Sequence, residues 1–237
     1  MKEIFCDEID STNTYLKTRY NEYEDMTFVG TNLQTNGHGR NGRSWFSNKG
    51  ENLMFSLLIK NEEVIKQYRA LSVLSAYSVI EVLKEYKVEK LNFKWPNDVY
   101  VDGKKICGIL LESVSSNSIE CLIIGVGINV NQKEFDGEYL NEPVSLSNIL
   151  DEHIDLDIFR KKIYERFVEN INKLQNGYDF IKDIREYDYL KDKEVYVSIN
   201  NEIKKVKVLG IDTDYTLKIL QNDKEMNIDY GEVSFHI

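Results

Sequence analysis

The sequence predicts an α+β protein: a mixed, mostly antiparallel sheet with packed helices, followed by a small C-terminal β-barrel. Three observations lead to this prediction. Apolar runs follow one another through short turns between residues 91 and 130, which favours antiparallel pairing. Residues 63–86 carry apolar side chains at helical spacing, with enough apolar surface to lie against a sheet. After residue 194, five short strands follow in close succession, as in a compact barrel.

The first part of the chain is predicted to form a strand, a helix, a second strand and then a glycine-rich loop. Asp10 to Asn13 supply N-cap chemistry for a helix that extends to about Tyr20, and capping alone accounts for these four residues. A second apolar run leads to Gln34 at the start of the loop. The first strand is predicted at 2–6, the second apolar run at 26–33, the loop at 37–45 and a buried strand at 52–59.

The middle of the chain continues the sheet. The Asp102-Gly103 pair between two apolar runs is a strong β-hairpin signal. Residues 131–152 are predicted to form a polar, irregular connection, and helical periodicity then covers 155–187 with a break near Asn176-Gly177. The strands of this part are predicted at 91–96, 99–101, 106–114 and 119–130.

The last part of the chain is predicted to form the small barrel. A boundary near Asp192 divides the chain into a domain of residues 1–191 and a C-terminal domain of residues 192–237. The turns within the second domain are short and polar, and they are predicted at 200–201, 212–214 and 221–224. Its strands are predicted at 195–199, 203–211, 215–220, 225–228 and 232–235.

Composition narrows the class of protein. With 237 residues and 42% hydrophobic content, the chain is long enough for one substantial core and a small second domain. Its net charge of −10 disfavours nonspecific binding to DNA or to an anionic membrane, because such binding needs excess Lys and Arg. No run approaches the roughly 20 apolar residues of a membrane span, so a cytoplasmic location is expected. Three widely spaced cysteines indicate buried reduced thiols, and three histidines without ligand spacing disfavour a structural zinc site.

The loop at residues 37–45 reads GHGRNGRSW and is expected to be mobile, because its three glycines leave little side chain to pack. Arg40 and Arg43 are forked donors suited to carboxylate or phosphate, so an anionic ligand is expected. The glycines also match GxGxxG, but turn and strand chemistry follows instead of a helix, which argues against a dinucleotide fold. A Walker loop is excluded because no Gly-Lys-Ser/Thr follows. A plain surface loop rich in glycine and arginine is the remaining alternative.

Two further segments carry candidate ligand-binding residues. In the KWPND segment a proline interrupts an apolar run, so that Asn97 and Asp98 can face a ligand. Lys105 follows the Asp-Gly turn, where its ammonium could neutralise a carboxylate or an α-phosphate, and a solvated turn lysine is the alternative. The GVGIN segment brings backbone close to another group and ends in Asn129, although a tight turn explains its glycines equally well.

Together and in order, these segments resemble one family, the biotin protein ligases, which join biotin to a lysine of carboxylase carrier domains. The resemblance covers the whole chain and implies a class II synthetase-like catalytic core with a small SH3-like domain after it. The family's loop usually reads GRGRxGR, whereas the first arginine is His38 here, so any role of that arginine must be shared by Arg40 or taken by a smaller, weaker donor. The matching segments are DSTN at 10–13, Gln34 followed by GHGRNGRSW, KWPND at 94–98, KICGILLE at 105–112 and GVGIN at 125–129.

The resemblance implies a two-step reaction. ATP activates biotin to biotinyl-5'-AMP, with Mg²⁺ accompanying ATP, and a lysine of a biotin carboxyl carrier protein domain then displaces AMP. Some family members carry a winged-helix domain ahead of this core and repress biotin synthesis. This chain starts at the first strand of the core and is expected to act as a ligase only, with neither DNA nor membrane as a partner.

The site residues are carried over by motif position. Catalytic roles are expected for Arg40 and Lys105, and no metal ligand is assigned. Biotin contacts are expected from Ser11, Thr12, Asn13, Gln34, Gly37, His38, Arg40, Lys105 and Gly108. Nucleotide contacts are expected from Arg43, Trp45, Asn97, Asp98 and Asn129.

Two other functions are weighed against this one. A lipoate or octanoate protein ligase shares the architecture and the adenylation chemistry, but its acyl chain has no ureido ring, so Ser11, Thr12 and Gln34 would lack hydrogen-bond partners. A noncatalytic binding module would have no use for Arg40 and Lys105 at one pocket. The sequence leaves open whether the chain is a monomer or a homodimer through an exposed sheet face.

Overall fold

A computed structural model describes residues 2–135, 139, 141–199, 202–229 and 234–236. Its helices are α1 (Thr12–Arg19), α2 (Glu62–Ile65), α3 (Tyr68–Glu85), α4 (Leu146–Leu150), α5 (Leu156–Gln175) and α6 (Ile181–Arg185). The strands of its first sheet are β1 (Lys2–Cys6), β2 (Thr27–Thr31), β3 (Asn52–Ile59), β4 (Leu91–Lys94), β5 (Asp98–Val101), β6 (Lys104–Ser115) and β7 (Ile119–Asn129). Those of its second sheet are β8 (Glu194–Ile199), β9 (Glu202–Ile211), β10 (Leu217–Gln221), β11 (Lys224–Ile228) and β12 (Ser234–His236).

The first sheet has the strand order β1-β2-β3-β7-β6-β5-β4. Only the β1–β2 pair is parallel among these neighbours, and the others are antiparallel, so the prediction of a mixed, mostly antiparallel sheet is confirmed. The strand at 52–59 is buried along its whole length because β3 is covered on both faces. Leu57 lies in the large core with α3 and α5, whereas Leu58 packs with Leu16 of α1 on the opposite face.

The prediction of one helix at 63–86 is wrong in one respect, because the backbone divides this segment into α2 and α3. Asn61 caps α2 by accepting hydrogen bonds from the N–H groups of Glu63 and Val64. Gln67 then leaves helical geometry at φ −99° and ψ 29°. The break lets α2 pack toward α5 and β7 while α3 runs along β4 to β7, as expected for a helix against a sheet.

The connection predicted as irregular at 131–152 contains a short helix, α4. Ser145 caps it, with Oγ accepting from the N–H of Asn148 at 3.2 Å, and Leu146 is fully buried. The break predicted near Asn176-Gly177 is confirmed, since α5 ends at Gln175. Residues 136–138 and 140 of this connection lie outside the described residues.

The second sheet has the strand order β11-β10-β9-β8-β12, with antiparallel pairing throughout the described strands. Its closure into a barrel and the domain boundary at Asp192 stay predictions. The turn predicted at 200–201 and residues 232 and 233 of the last predicted strand lie outside the described residues.

Three further sequence expectations concern cysteines, membranes and the end of the glycine loop. Cys107 and Cys121 are buried free thiols, whereas Cys6 is only partly buried at the sheet edge. Within the described ranges, no helix is both long and apolar enough to cross a membrane. Extended backbone and a turn, with no helix, connect Trp45 to β3, which confirms that the loop does not open a helix.

Candidate active site

A cavity of about 530 Å³ lies between the first sheet and the loop at residues 37–45. Its wall contains every residue that the sequence assigns to the site except Gly37. Gly37 lies behind the wall, where a Cβ would come within 2.8 Å of the Trp45 carbonyl oxygen and 2.9 Å of Gln34 Nε2. The wall residues that the sequence predicted are Ser11, Thr12, Asn13, Gln34, His38, Arg40, Arg43, Trp45, Asn97, Asp98, Lys105, Gly108 and Asn129.

One end of the cavity is lined by uncharged hydrogen-bonding groups. Ser11 caps α1, and Thr12 follows it into the cavity wall. The backbone N–H and the hydroxyl of Thr12 both donate to Gln34 Oε1, at 2.8 and 3.0 Å. Ser56 Oγ of β3 lies 2.7 Å from Thr12 Oγ1 and 2.5 Å from Asn13 Oδ1. The sequence assigned no role to Ser56, and the one available signal was a single hydroxyl in the middle of an apolar strand.

The Asn13 side chain is held by its neighbours on both sides. Its Nδ2 donates to Glu112 Oε2 at 2.8 Å, while its Oδ1 faces Ser56 and the backbone of Gly125. A Cβ at Gly125 would collide with the Asn13 amide, which explains the glycine at this position. Asn13 therefore shapes the polar end of the cavity by connecting α1 to β3, β6 and β7.

Glu112 of β6 is a further residue that the site assignment omitted. It accepts from Lys17 Nζ at 2.9 Å, and His38 Nε2 lies 3.5 Å from its other oxygen. Burial acts to raise the pKa of Glu112, but the hydrogen bonds from Asn13 and Lys17 outweigh burial and hold this pKa below its ordinary value. The residue that replaces the family's first loop arginine thus faces a carboxylate.

The loop itself has a defined backbone path. The Gly39 N–H donates to the Arg43 carbonyl at 2.7 Å, and the Trp45 N–H donates to the Gly37 carbonyl at 2.9 Å. Between these bonds the chain turns at Asn41 and Gly42, which have φ values of 57° and 70°. Gly42 relieves the strain that a side chain would meet there. The expected mobility of the loop stays a prediction.

The loop ends in Trp45, whose indole ring lies on two paired glycines. Gly108 of β6 and Gly127 of β7 face each other in the sheet. A Cβ at Gly127 would lie 2.5 Å from indole Cε2, and one at Gly108 would lie 2.9 Å from Cζ3. The two glycines therefore form a flat floor for the ring. Among the described residues, the buried Nε1 of Trp45 has no hydrogen-bond partner.

Cationic groups line the other end of the cavity. Lys105 Nζ lies 2.8 Å from Asp98 Oδ1, and Arg40 Nη1 donates to Asn97 Oδ1 at 3.3 Å. Asn97 Nδ2 in turn donates to the Ile109 carbonyl at 2.8 Å, which fixes its oxygen toward Arg40. Asp98 Oδ1 is buried and, although close to Lys105, lacks hydrogen-bond geometry to any described group. Both predicted catalytic side chains thus lie at one end of the same cavity.

Asn129 lies at the end of β7, beside Lys105. Its side-chain Nδ2 donates to the Val144 carbonyl at 3.2 Å and lies 3.4 Å from the Lys105 carbonyl. The backbone N–H of Lys105 donates to Glu142 at 2.7 Å. Asn129 therefore ties the backbone of Lys105 to the segment that follows β7.

Lys94 is a buried cation at the same end of the cavity. It belongs to the KWPND segment, but no role was assigned to it from the sequence. Its side chain is 7% exposed, and Nζ lies 3.2 Å from Asn141 Oδ1 and 3.4 Å from the Tyr100 hydroxyl. Burial lowers the pKa of Lys94 to about 8, although the charge of Asp98 acts in the opposite direction. A charged residue that ends an apolar strand was the sequence signal for this position.

Comparisons with known proteins agree with this geometry. Residues 5–129 match the model of the biotin/lipoate A/B protein ligase family. The bifunctional ligase/repressor BirA of Bacillus subtilis is 34% identical over 156 residues, which are 64% of this chain and 48% of that protein. The biotin--[acetyl-CoA-carboxylase] ligase of Paracoccus denitrificans is 31% identical over 124 residues, or 51% of each chain. The chain thus spans about half the length of the curated relatives it matches.

A solved structure resembles the whole fold. The biotin protein ligase from Aquifex aeolicus, in complex with biotin and ATP, superposes with a TM-score of 0.85 at 31% identity. The match covers 99% of this chain and 98% of that one, so it includes both sheets. The family match over the first half of the chain and this full-length likeness lead to one conclusion: the chain belongs to the biotin/lipoate A/B protein ligase family.

Proposed function

We propose that the protein is a biotin protein ligase, which activates biotin with ATP and transfers it to a lysine of a biotin carboxyl carrier protein domain. One observation carries the proposal: a single cavity joins an uncharged hydrogen-bonding end, at Thr12 and Gln34, to an end with Arg40 and Lys105. Neutral donors and acceptors suit the ureido ring of biotin, and paired cations suit a carboxylate and a phosphate.

In the first step, a carboxylate oxygen of biotin attacks the α-phosphorus of ATP, and pyrophosphate leaves with the electrons of the broken P–O bond. Lys105 and Arg40 stabilise the negative charge that moves between carboxylate, phosphate and leaving group. In the second step, the uncharged amine of the carrier lysine attacks the acyl carbon, and the bond from that carbon to the AMP oxygen breaks. AMP leaves with the electrons of that bond, and the amine releases a proton. Both nucleophiles belong to substrates, so the enzyme contributes positioning and charge.

The other predicted residues take roles that follow from their position in the wall or, for Gly37, behind it. Ser11, Asn13, Gly37 and His38 would shape the biotin end. Gly108, beneath Trp45 and beside Lys105 Nζ, would contact biotin toward its carboxylate. Arg43 would contact the nucleotide phosphates, and Trp45 would pack against adenine with Asn129 nearby. Asn97 and Asp98 would organise the phosphate side.

A magnesium ion fits this phosphate side. Mg²⁺ is commonly held by one or two carboxylates together with substrate phosphates, and Asp98 offers such a carboxylate: its buried Oδ1 makes no well-aligned hydrogen bond, although it pairs with Lys105. Within the described ranges, no group of three or more His, Cys, Asp or Glu side chains could hold a metal without a substrate. Mg²⁺ would supply charge neutralisation of the phosphates, while Lys105 remains in contact with Asp98.

The loop at residues 37–45 would act as a lid, because a mixed anhydride needs protection from water between the two steps. The proposal also includes a cytoplasmic location, a C-terminal domain that begins near Asp192 and an assembly state that is either monomer or homodimer.

The decisive experiment is to incubate the protein with MgATP and, in parallel, biotin, octanoate or lipoate, and to detect acyl-adenylates by mass spectrometry. Biotinyl-adenylate alone is expected, followed by a mass gain on an added carrier domain. Adenylate from the fatty acids alone would identify a lipoate or octanoate ligase instead. Absence of adenylate from every acid would favour the noncatalytic module.

A matched pair of variants tests the charge assignment. Lys105→Ala is expected to slow adenylate formation about 100-fold or more with the fold intact, because it removes a cation aimed at developing charge. Lys104→Ala changes the neighbouring exposed lysine, which pairs with Glu142 at the surface, and should leave the rate unchanged. Equal rates for the two variants would return Lys105 to the role of a solvated turn lysine.

A further inference from the structure

The segment that carries Asn97 and Asp98 is attached to the second sheet through Trp95. This side chain is 2% exposed, and its indole Nε1 donates to the Tyr215 carbonyl at 3.0 Å. Tyr215 lies in the turn between β9 and β10, far from Trp95 in sequence. The bond therefore joins the second sheet to the residue directly before Pro96, Asn97 and Asp98.

The Tyr215 carbonyl is a firmly held acceptor. The N–H of Tyr215 donates to the Asp212 carbonyl at 3.0 Å, which closes the turn, and the φ of Tyr215, 66°, is in the left-handed region. Its hydroxyl donates to Asp179 Oδ1 at 2.8 Å and accepts from the Phe180 N–H at 3.2 Å. The turn is thereby fastened to the connection between α5 and α6, and the direction of the Tyr215 carbonyl is fixed.

The cavity side of the segment has its own anchors. Ser72 Oγ of α3 donates to the Pro96 carbonyl at 2.7 Å, and the Ile109 N–H donates to the Asn97 carbonyl at 2.9 Å. These bonds hold the segment from α3 and from β6, while the Trp95 indole holds it from the second sheet. The segment is thus restrained from three sides, and because Trp95 is only two residues before Asn97, loss of its bond removes one of the three restraints on Asn97 and Asp98.

The strand before the segment is braced from the same direction. Phe93 of β4 exchanges backbone hydrogen bonds with residues just ahead of β8: its N–H donates to Tyr187 at 2.7 Å, and its carbonyl accepts from Tyr189 at 2.9 Å. The Tyr189 ring stacks on Tyr100, whose hydroxyl lies beside Lys94 Nζ. In contrast, the hydrogen bonds described for Thr12 and Gln34 run to α1 and β3, away from the second sheet.

We propose that Trp95, which itself lines the cavity, and Tyr215 are positioning residues through which the second sheet sets Asn97 and Asp98 at the phosphate end of the cavity. The inference rests on the proposed function and names the residues that link the second sheet to the phosphate end of the cavity. Because the biotin end is anchored elsewhere, weakening this link raises the KM for ATP and leaves the KM for biotin unchanged.

The test removes only the indole N–H. Trp95 is replaced by 3-benzothienylalanine, which keeps the shape of the ring and puts sulfur in place of the N–H group. Adenylate formation is measured against MgATP at saturating biotin, and against biotin at saturating MgATP. The KM for ATP is expected to rise about two- to tenfold, as for one lost buried hydrogen bond, with the KM for biotin within twofold.

A second variant and a control guard against loss of the fold. Tyr215→Phe keeps the carbonyl but loses the hydroxyl bonds to Asp179 and Phe180, and it should shift the KM for ATP in the same direction. Tyr196→Phe removes a hydroxyl from a half-exposed tyrosine on β8 of the same sheet and should match the wild type. Thermal unfolding midpoints are recorded for all variants.

The outcomes separate this inference from the proposed function. If the wild type forms no adenylate, the proposed function fails before the variants are compared. If the wild type is active and both variants match it, or if the two KM values rise equally, the positioning role of Trp95 and Tyr215 is refuted while the ligase function stands.

Discussion

The glycine floor beneath Trp45 allows a quantitative prediction for Gly127→Ala. The added methyl group would lie 2.5 to 2.8 Å from three atoms of the indole ring, where ordinary contacts need about 3.5 Å or more. The ring must therefore move away from the sheet by about 1 Å, or the strand must yield. Since β7 pairs with strands on both sides and Trp45 ends a loop, the ring is the part that moves.

The loss of stability caused by Gly127→Ala has an upper limit. Overpacking in a fixed environment costs about 1–3 kcal/mol. Complete release of a half-buried indole, which removes about 100 Å² of contact, costs about 2.5 kcal/mol at about 25 cal/mol per Å². The two values are similar, so the free energy of unfolding should fall by about 1–2.5 kcal/mol with the ring displaced. If Trp45 packs on adenine, the KM for ATP should rise about tenfold, which corresponds to about 1.4 kcal/mol.

Acrylamide quenching of intrinsic fluorescence measures the displacement of the Trp45 ring, urea unfolding measures the loss of stability, and adenylate kinetics measure the KM for ATP. The chain has two tryptophans, and because Trp95 is fully buried, a gain in acrylamide quenching reports on Trp45. Ser75→Ala, at a buried helical serine that donates to the Leu71 carbonyl and does not line the cavity, is the control. If Gly127→Ala equals this control in quenching and in the KM for ATP, Trp45 does not rest on the glycine floor in solution.

Two other predictions concern side chains that the sequence left without a role. Because burial lowers the pKa of Lys94 to about 8, its charge is lost as pH rises from 7 to 9, and the KM for ATP should rise over that window in the wild type but not in Lys94→Met. The folded-state pKa lies below the ordinary value of 10.5, so the charged amine costs stability below pH 8, and urea unfolding at pH 7 should find Lys94→Met more stable than the wild type. A pH profile shared by both proteins would contradict this assignment. Ser56→Ala should lower stability by about 1–3 kcal/mol and raise the KM for biotin but not for ATP, because Thr12 and Asn13 lose their buried partner. Ser75→Ala, at a buried helical serine bonded to the Leu71 carbonyl, should leave both KM values unchanged, and equal biotin kinetics in the two serine variants would remove Ser56 from the site.

Local patterns were sufficient for most of the fold. The buried strand at 52–59 was predicted with the bounds that the structure has, because polar residues flank a run that is apolar apart from Asn52 and Ser56. The hairpin at Asp102-Gly103 followed from turn chemistry, and both residues have positive φ. The break at Gln67 was not predicted, since it depends on how α2 packs against α5, which periodicity does not reveal.

The residues of the site also divide into those that local motifs predicted and those that they missed. Motifs located Arg40, Lys105 and Trp45 in the cavity wall, because each lies in a segment with a distinctive sequence. Ser56 and Glu112 were missed because their significance depends on long-range contacts: Ser56 reaches a residue 44 positions away, and Glu112 reaches one 99 positions away. Only the strand register brings such pairs together, and that register cannot be read from the local sequence pattern.

The central pairing of β3 with β7 also has a consequence for the chain during synthesis. β3 is apolar and buried along its length, and one of its two neighbours, β7, follows only after α2, α3 and three further strands. Until β7 leaves the ribosome, β3 presents an unpaired apolar edge of the kind that aggregates or recruits a chaperone. The same delay applies to the glycine floor, so a nascent chain that ends before Asn129 carries Thr12, Gln34 and Trp45 but has no completed cavity to close over a ligand.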